Sequence, residues 1–160
     1  MILTGKNHQI IVDDEDAHLL TDYHWTIPKP PHKPYAFRGI MVNGRRYCIY
    51  LHHAVAGQHI TLHTDHINGN ALDNRRANLR FATRSQNMAN RSKFTNTASS
   101  RFMGVWWEQR KRRWKSGFTA NGKLHWVGSF KDEITAAKAY NAKALKVQGE
   151  FARLNAIPEA

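Results

Sequence analysis

The alternation of hydrophobic and polar residues predicts a β-hairpin in the first half of the chain. Residues 35–51 read YAFRGIMVNGRRYCIYL, in which two alternating runs flank an Asn-Gly pair. Asn-Gly accepts the positive φ angles of a two-residue hairpin turn, so the two runs are predicted to pair as strands. Before them, residues 10–27 predict a strand, an acidic helix start and an amphipathic helix, and residues 28–34 are a proline-rich break.

The same kind of pattern predicts a small sheet covered by a helix in the C-terminal half. Alternating runs at 105–107, 113–119 and 124–130 predict three short strands, with a second Asn-Gly pair, at 121–122, as a hairpin turn. Residues 133–147 carry apolar side chains on one helical face, which suits a helix packed on a sheet. The other face of such a sheet is left free to enter a DNA major groove.

The segment between the two halves has no periodic apolar pattern. Residues 91–101, RSKFTNTASSR, are small, polar and basic, and they predict a linker. The sequence therefore predicts an α+β protein with an N-terminal domain over 1–90, a linker over 91–101 and a C-terminal domain over 102–160.

The charge of the chain favours a polyanionic partner. Lysine and arginine number 24 against 12 acidic residues, which gives a net charge of +12. No long apolar run, signal peptide or basic amphipathic anchor accompanies this charge, so we expect no membrane association. Cys48 is the single cysteine, so the chain has neither an internal disulfide nor a CxxC pair for structural zinc. We expect a monomer in a reducing cytoplasm.

Residues 64–87, TDHINGNALDNRRANLRFATRSQN, bring together a histidine, carboxylates, asparagines and arginines, which are residue types that suit phosphodiester hydrolysis. Hydrolysis of a phosphodiester needs a base for water and a cation for the charge that builds on the leaving oxygen. His66 is a base near neutral pH, whereas the Asp65 carboxylate and the Asn87 amide oxygen are hard ligands that suit Mg²⁺ or Mn²⁺. Asn78 is predicted to bridge backbone groups across the loop.

The local pattern around these residues predicts a strand, a loop, a second strand and a helix. Residues 61–66 can end a strand, and INGNALDN is a loop rich in Asn, Asp and Gly. Residues 79–82 can return as a strand. Thr83 and Gln86 have the spacing of a capping box, which places Asn87 in the first turn of a helix.

Residues 64–87 resemble the HNH nuclease family, in particular the phage-type homing endonucleases. The resemblance implies a ββα-metal (His-Me finger) domain with His66 as general base, Asn78 in the returning loop, and Asp65 and Asn87 as metal ligands. The segment LHHAVAG at 51–57 resembles the family helix that opens with MHR or LHR. His52 takes the family histidine position, and both an active-site and a packing role remain open for it.

Residues 100–155 resemble the AP2 DNA-binding domain over its whole length, on FMGV, WVGSF and a helix that leads to FARLN. The resemblance implies a sheet that docks on DNA. Met103, Trp106, Gly117 and Thr119 depart from the plant-type pattern at base-reading positions, so the target sequence of that family does not carry over.

The predicted DNA contacts lie in both halves. In the N-terminal half they are basic residues around His66, namely Arg75, Arg76, Arg80, Arg84, Arg91 and Lys93. On the free face of the C-terminal sheet they are Trp106, Arg110, Lys111, Arg112, Arg113, Lys115, Lys123 and Trp126. Strand alternation predicts that about half of the tryptophans in this sheet belong to its core.

These observations predict a metal-dependent, site-directed endonuclease of double-stranded DNA. By resemblance it is a mobile-element, or homing, nuclease of a phage, which would act in the bacterial host cytoplasm. The alternatives are an AP2-type transcriptional regulator with a non-cleaving HNH fold and, with less support, an RNA-directed protein. The last lacks the aromatic sheet signature of single-strand readers.

Overall fold

The computed structural model describes residues 2–5, 8–30, 32–91 and 99–158, which form two compact units, Met1–Thr83 and Arg84–Ala160. The described part of the first unit contains three two-stranded antiparallel sheets, two α-helices and two one-turn 3₁₀ helices. Their bounds are β1 Ile2–Gly5, β2 His8–Ile11, α1 His18–Thr21, β3 Phe37–Val42, β4 Arg45–Tyr50, α2 Leu51–Ala56, β5 His63–His66 and β6 Leu79–Ala82.

The second unit consists of a short helix and a three-stranded antiparallel sheet with a long helix. Its elements are α3 Arg84–Ala89, β7 Val105–Glu108, β8 Arg113–Ala120, β9 Lys123–Phe130 and α4 Glu133–Gln148. The described residues include no helix that is both long and apolar enough to cross a bilayer.

Both predicted hairpins are confirmed. In the β3–β4 hairpin, Asn43 and Gly44 have φ angles of 49° and 73°. In the β8–β9 hairpin, Asn121 and Gly122 have φ angles of 50° and 73°. Positive φ at both centres twists the turn in the same sense as the strands, which explains why the Asn-Gly pairs fix these two connections.

The amphipathic helix predicted after residue 12 is much shorter than expected. A one-turn 3₁₀ helix, Asp14–Asp16, leads into the four residues of α1. The chain then becomes extended, because the indole N–H of Trp25 donates to the Leu19 carbonyl at 2.7 Å and Thr26 pairs with Phe37 of β3. Burial of the Trp25 ring in the core thus ends the helix early.

The core of the first unit joins β2, α1, α2 and the loop between β5 and β6. Its most buried members include Val12 and Leu51. The loop is tied to the end of β2, because the Ile11 amide donates to Leu72 and the Asn74 amide donates to Ile11, at 2.9 and 2.7 Å. This contact fixes the polar loop beside the β5–β6 hairpin.

The second unit has the three strands and the covering helix that the sequence predicts. Phe102, Val105 and the small residues Ala136 and Ala137 of α4 form its core. Gly104, at φ 66°, lies against Tyr140, and a Cβ at this glycine would be 2.1 Å from the tyrosine ring. The FMGV segment therefore needs glycine at this position.

Asn155 holds the two ends of this unit together. Its side chain accepts from the Met103 amide at 2.6 Å and donates to the Met103 carbonyl at 3.1 Å. Asn141 of α4 makes a second reciprocal pair with the Asn155 backbone, at 2.8 and 2.9 Å. The FMGV segment, the helix and the FARLN segment, which carry the AP2 resemblance, thus meet through hydrogen bonds.

The compact units divide before α3, whereas the sequence predicts a first domain through residue 90. The hydroxyl of Ser85 on α3 accepts from the Asn121 amide at 2.8 Å, and Arg153 donates to the Asn90 carbonyl at 3.3 Å. Most of the predicted linker, residues 92–98 with Lys93, lies outside the described residues. Ser99 and Ser100, at its end, hydrogen-bond to Trp107 and Glu133.

Candidate active site

Asp65 and His66 end strand β5, where both side chains are buried. In the antiparallel register Asp65 is opposite Arg80 and His66 is opposite Leu79. Successive side chains of a strand point to opposite faces, so the two residues have separate surroundings. The β5–β6 hairpin that the sequence predicts is therefore the element that positions this pair.

His66 is held by Asn74 of the polar loop. The His66 Nε2 atom is 3.3 Å from Oδ1 of Asn74, and the Asn74 amide nitrogen donates to the Leu72 carbonyl at 3.1 Å. Because an amide oxygen only accepts, His66 donates through Nε2 and carries its lone pair on Nδ1. Sequence reasoning missed Asn74, since an Asx-rich loop does not reveal which asparagine faces the histidine.

Burial lowers the pKa of His66 below its ordinary value of 6.5, and the hydrogen bond to Asn74 opposes this shift in part. The ammonium of Lys33 also lowers the pKa of the imidazole. A lowered pKa keeps the ring neutral at pH 7, which is the protonation state that a general base needs.

His66 belongs to a cluster of aromatic rings that also contains two tyrosines and two further histidines. The centroids of His52 and Tyr35 are 5.3 and 5.9 Å from that of His66, and Tyr50 stacks on His52 at 5.5 Å. His53 contacts the far side of His52 at 4.3 Å. His52 is therefore a buried packing residue whose ring neighbours that of His66, and an active-site role for it stays a prediction.

His52 is buried so completely that its pKa is lowered to about 3, first by burial and then by His53 and His66. No described residue hydrogen-bonds to its buried Nδ1 atom. An unfolded chain binds a proton at this ring below about pH 6.5, whereas the folded chain does not until about pH 3. Stability is thus lost as the pH falls through this window.

We expect His52→Gln to reduce the acid sensitivity of folding. Between pH 7 and pH 5 the wild-type free energy of unfolding should fall by about 2 kcal/mol through His52 alone, and the variant should lack this part. Urea titrations of both proteins at the two pH values measure the difference. Equal pH dependence in the two proteins would contradict the assignment of His52 as a buried neutral residue.

As the sequence predicts, the Asn78 side chain bridges backbone groups across the loop between β5 and β6. Its Nδ2 donates to the Asp73 carbonyl at 2.7 Å, and its Oδ1 accepts from the Asn68 amide at 3.0 Å. The Asn78 carbonyl also accepts from the Ile67 amide, directly after His66, at 2.9 Å. These bonds tie the loop that directly follows Asp65 and His66 to Asn78.

Arg80 is the partner of Asp65 and is not exposed, contrary to the prediction that it contacts DNA. Its Nε and an Nη atom approach Oδ2 of Asp65 at 3.0 and 2.9 Å, and its side chain is only 12% exposed. The cross-strand register places the guanidinium over the carboxylate. Asp65 is therefore a buried carboxylate paired with a fixed guanidinium.

Arg75 and Arg76, also predicted to bind phosphates, are engaged by carboxylates as well. Arg75 makes two bonds to Asp73, at 2.7 and 2.8 Å. Arg76 contacts Asp16 and Glu15, each at 2.7 Å. Both side chains remain about half exposed, so their contact with DNA stays a prediction, whereas Arg80 is too buried beside Asp65 to meet a phosphate as it stands.

The acidic segment before α1 owes its position to Arg76. Ligand atoms of Asp13, Glu15 and Asp16 lie within 4.8 Å of one another, which is close enough to hold a metal ion. The Arg76 side chain and backbone amide fill this cluster, the latter donating to Asp13 at 2.7 Å. The acids thus bind Arg76 of the loop between β5 and β6, whereas the sequence predicted only that they begin a helix.

In the second unit, the sheet face opposite α4 carries an exposed tryptophan pair. Trp106 and Trp126 are 38% and 49% exposed, and their rings meet edge to face at 6.1 Å. They flank Gly117, where a Cβ would be 3.6 Å from the Trp106 ring. Trp114 packs against the core, with Trp107 beside it at 5.1 Å.

The predicted basic residues of this sheet are not all on the same face. Lys115 lies on the tryptophan face, forms an ion pair with Glu108 and is 5.8 Å from the Trp126 centroid. Lys123 is paired directly with buried Ala120 and so shares the side that α4 covers, which corrects its predicted place on the free face. Arg110, Lys111 and Arg112 are exposed in the β7–β8 turn, and Arg113 begins β8 half-buried.

Asn87 lies half-buried on α3, which belongs to the second unit. Its metal-ligand role therefore stays a prediction from its spacing to Asp65. The same holds for the DNA contact of Arg84, at the exposed start of α3.

Two comparisons relate the chain to known proteins, and the family model among them covers the region from β5 to α3. Residues 61–89 match a family model described as HNH endonuclease. An uncharacterised HNH endonuclease of Acanthamoeba polyphaga mimivirus is 34% identical over 96 residues, which are 60% of this chain and 48% of that protein. The chain thus spans about half the length of this relative. No solved structure matches the chain. Both matches support an endonuclease.

Proposed function

We propose that this protein is a metal-dependent endonuclease that hydrolyses phosphodiester bonds of double-stranded DNA at selected sites. The observation that carries the proposal is the His66 site: a buried imidazole, neutral at pH 7, held through Nε2 by Asn74 and preceded in the strand by the buried Asp65 carboxylate. In this role Nδ1 of His66 takes a proton from the attacking water.

The donor chemistry of the site fits a hard divalent cation. Asp65 offers carboxylate oxygen, and Asn87, the second ligand predicted from the sequence, would add an amide oxygen. Mg²⁺ or Mn²⁺ bound there would neutralise the charge that develops on the leaving oxygen. Arg80 orients Asp65, and Asn78 holds the loop that carries Asn74.

The second unit would place the nuclease on its target through an AP2-like sheet. The exposed tryptophan pair and the basic β7–β8 turn at 110–112 support this role. The mobile-element role rests on the resemblance of residues 64–87 to phage-type homing endonucleases. The competing function is a DNA-binding regulator with a non-cleaving HNH fold.

Cleavage of a supercoiled plasmid library in Mg²⁺ or Mn²⁺ tests the nuclease proposal. We expect nicked or linear products that EDTA abolishes, because the reaction needs the cation. A His66→Ala protein purified in the same way excludes a contaminating nuclease. DNA that is bound but uncut in either metal would favour the regulator.

Salt dependence tests the second unit. Affinity for duplex DNA should fall with a log–log slope of about −0.9 per neutralised phosphate. We expect Lys111→Ala, in the exposed turn, to make this slope shallower by about 0.9. Lys138→Ala, on the exposed side of α4, is the matched control and should keep the wild-type slope. Identical slopes for both variants would remove the turn from the DNA interface.

A further inference from the structure

A pocket of about 300 Å³ opens beside the His66 cluster in the first unit. It is lined by Pro28, His32, Lys33, Tyr35, Phe37 and Tyr50. None of the functional roles described above uses this space.

The pocket shares a wall with the catalytic site. The Tyr35 ring is 5.9 Å from His66 and 5.2 Å from His52, and the Tyr50 ring stacks on His52. Both tyrosines also line the pocket. A group bound in the pocket is thus one aromatic ring away from the base His66.

The lining has the chemistry of a nucleotide site. Tyr50 has its ring centroid 6.3 Å from those of both Tyr35 and Phe37, so three aromatic rings line one space. Lys33 adds an ammonium that is 3.5 Å from the Tyr35 hydroxyl, and His32 adds an imidazole. None of the six described residues that line the pocket is acidic. Aromatic rings stack on bases of any sequence, whereas a lysine binds phosphate as a point charge.

We propose that this pocket receives the base of the nucleotide next to the cleaved phosphodiester, with Lys33 on the phosphate of that nucleotide. The position relative to the cleaved bond rests on the proposed nuclease function. A base that enters the pocket has left the duplex stack, as in enzymes that extrude a nucleotide.

The test compares two small ligands on the full-length protein by isothermal titration calorimetry. Thymidine 3′,5′-bisphosphate carries a base, and 1′,2′-dideoxyribose 3′,5′-bisphosphate has the same phosphates without one. We expect the base to tighten binding by roughly 5- to 150-fold, the range for one stacked base.

Variants on strand β4 test whether the tighter binding of the ligand with a base arises in this pocket. Tyr50→Ala should abolish the difference between the two ligands, and Tyr50→Phe should keep it because the ring remains. Tyr47→Ala is the matched control, since Tyr47 is exposed on the same strand and does not line the pocket. Circular dichroism confirms that each variant is folded.

Equal affinity of the wild-type protein for the two ligands would overturn the pocket assignment, as would no measurable binding of either. A base effect that survives Tyr50→Ala would place it elsewhere and overturn the assignment too. These results are independent of cleavage: a protein that binds the base through Tyr50 but never cuts DNA would refute only the nuclease proposal.

Discussion

Replacement of His66 by alanine should lower the rate of DNA cleavage by roughly 10²- to 10⁴-fold, the usual contribution of a general base. Affinity for duplex DNA should stay close to the wild-type value, because the buried imidazole makes its hydrogen bond to Asn74 within the protein. The loss should appear in single-turnover cleavage in Mg²⁺ and not in electrophoretic mobility shifts.

His63→Ala is the matched control for this experiment. His63 is the same residue type at the start of the same strand, three positions before His66, but it is exposed. We expect the His63→Ala protein to cleave DNA at a rate near that of the wild type. Wild-type rates in the His66→Ala protein, at matched metal concentration, would end the assignment of His66 as the base.

The second large effect is on stability. Arg80→Met should lower the free energy of unfolding by about 3–5 kcal/mol, because it leaves the buried Asp65 carboxylate without its cation. Combining it with Asp65→Asn removes the stranded charge and should recover part of this loss. Urea unfolding of the single and double variants measures both values.

Arg45→Met, on the exposed part of β4, separates burial from the simple loss of an arginine. It should change stability by less than about 0.5 kcal/mol, as surface substitutions usually do. If Arg80→Met proved as mild as Arg45→Met and instead weakened DNA binding, Arg80 would be a phosphate contact and not the residue that positions Asp65.

The net charge of +12 gives an incomplete picture of how this protein would contact the DNA proposed as its substrate. Arg75, Arg76 and Arg80 each bind a carboxylate of the first unit, so much of their charge stabilises the loop and strand around His66. A polyanion is attracted by the charge of the whole molecule, but each phosphate contact needs a cation that is exposed. The exposed turn at 110–112 meets that requirement.

The sequence by itself determined the elements whose cause is local. Asn-Gly pairs specify both hairpins, and the apolar spacing of residues 133–147 specifies α4, because turn geometry and helical periodicity depend on neighbours in the chain. The strand, loop and strand around Asp65-His66 were also predictable, with the bounds of β6 at 79–82. The residues of the candidate site were predicted from the resemblance of 64–87 to HNH nucleases, and their types suit phosphodiester hydrolysis.

Only the tertiary structure decided which groups meet. The register of β5 against β6 pairs Asp65 with Arg80, and the contact of the loop with β2 brings Asn74 to His66. Tertiary packing likewise ends α1 at Thr21. It also decides that Trp106 and Trp126 are exposed whereas Trp114 packs against the core. A shift of the register by one residue would move each side chain of a strand to the opposite face of its sheet, and no local sequence pattern specifies the register. The partners of charged and aromatic side chains therefore follow from packing between distant segments.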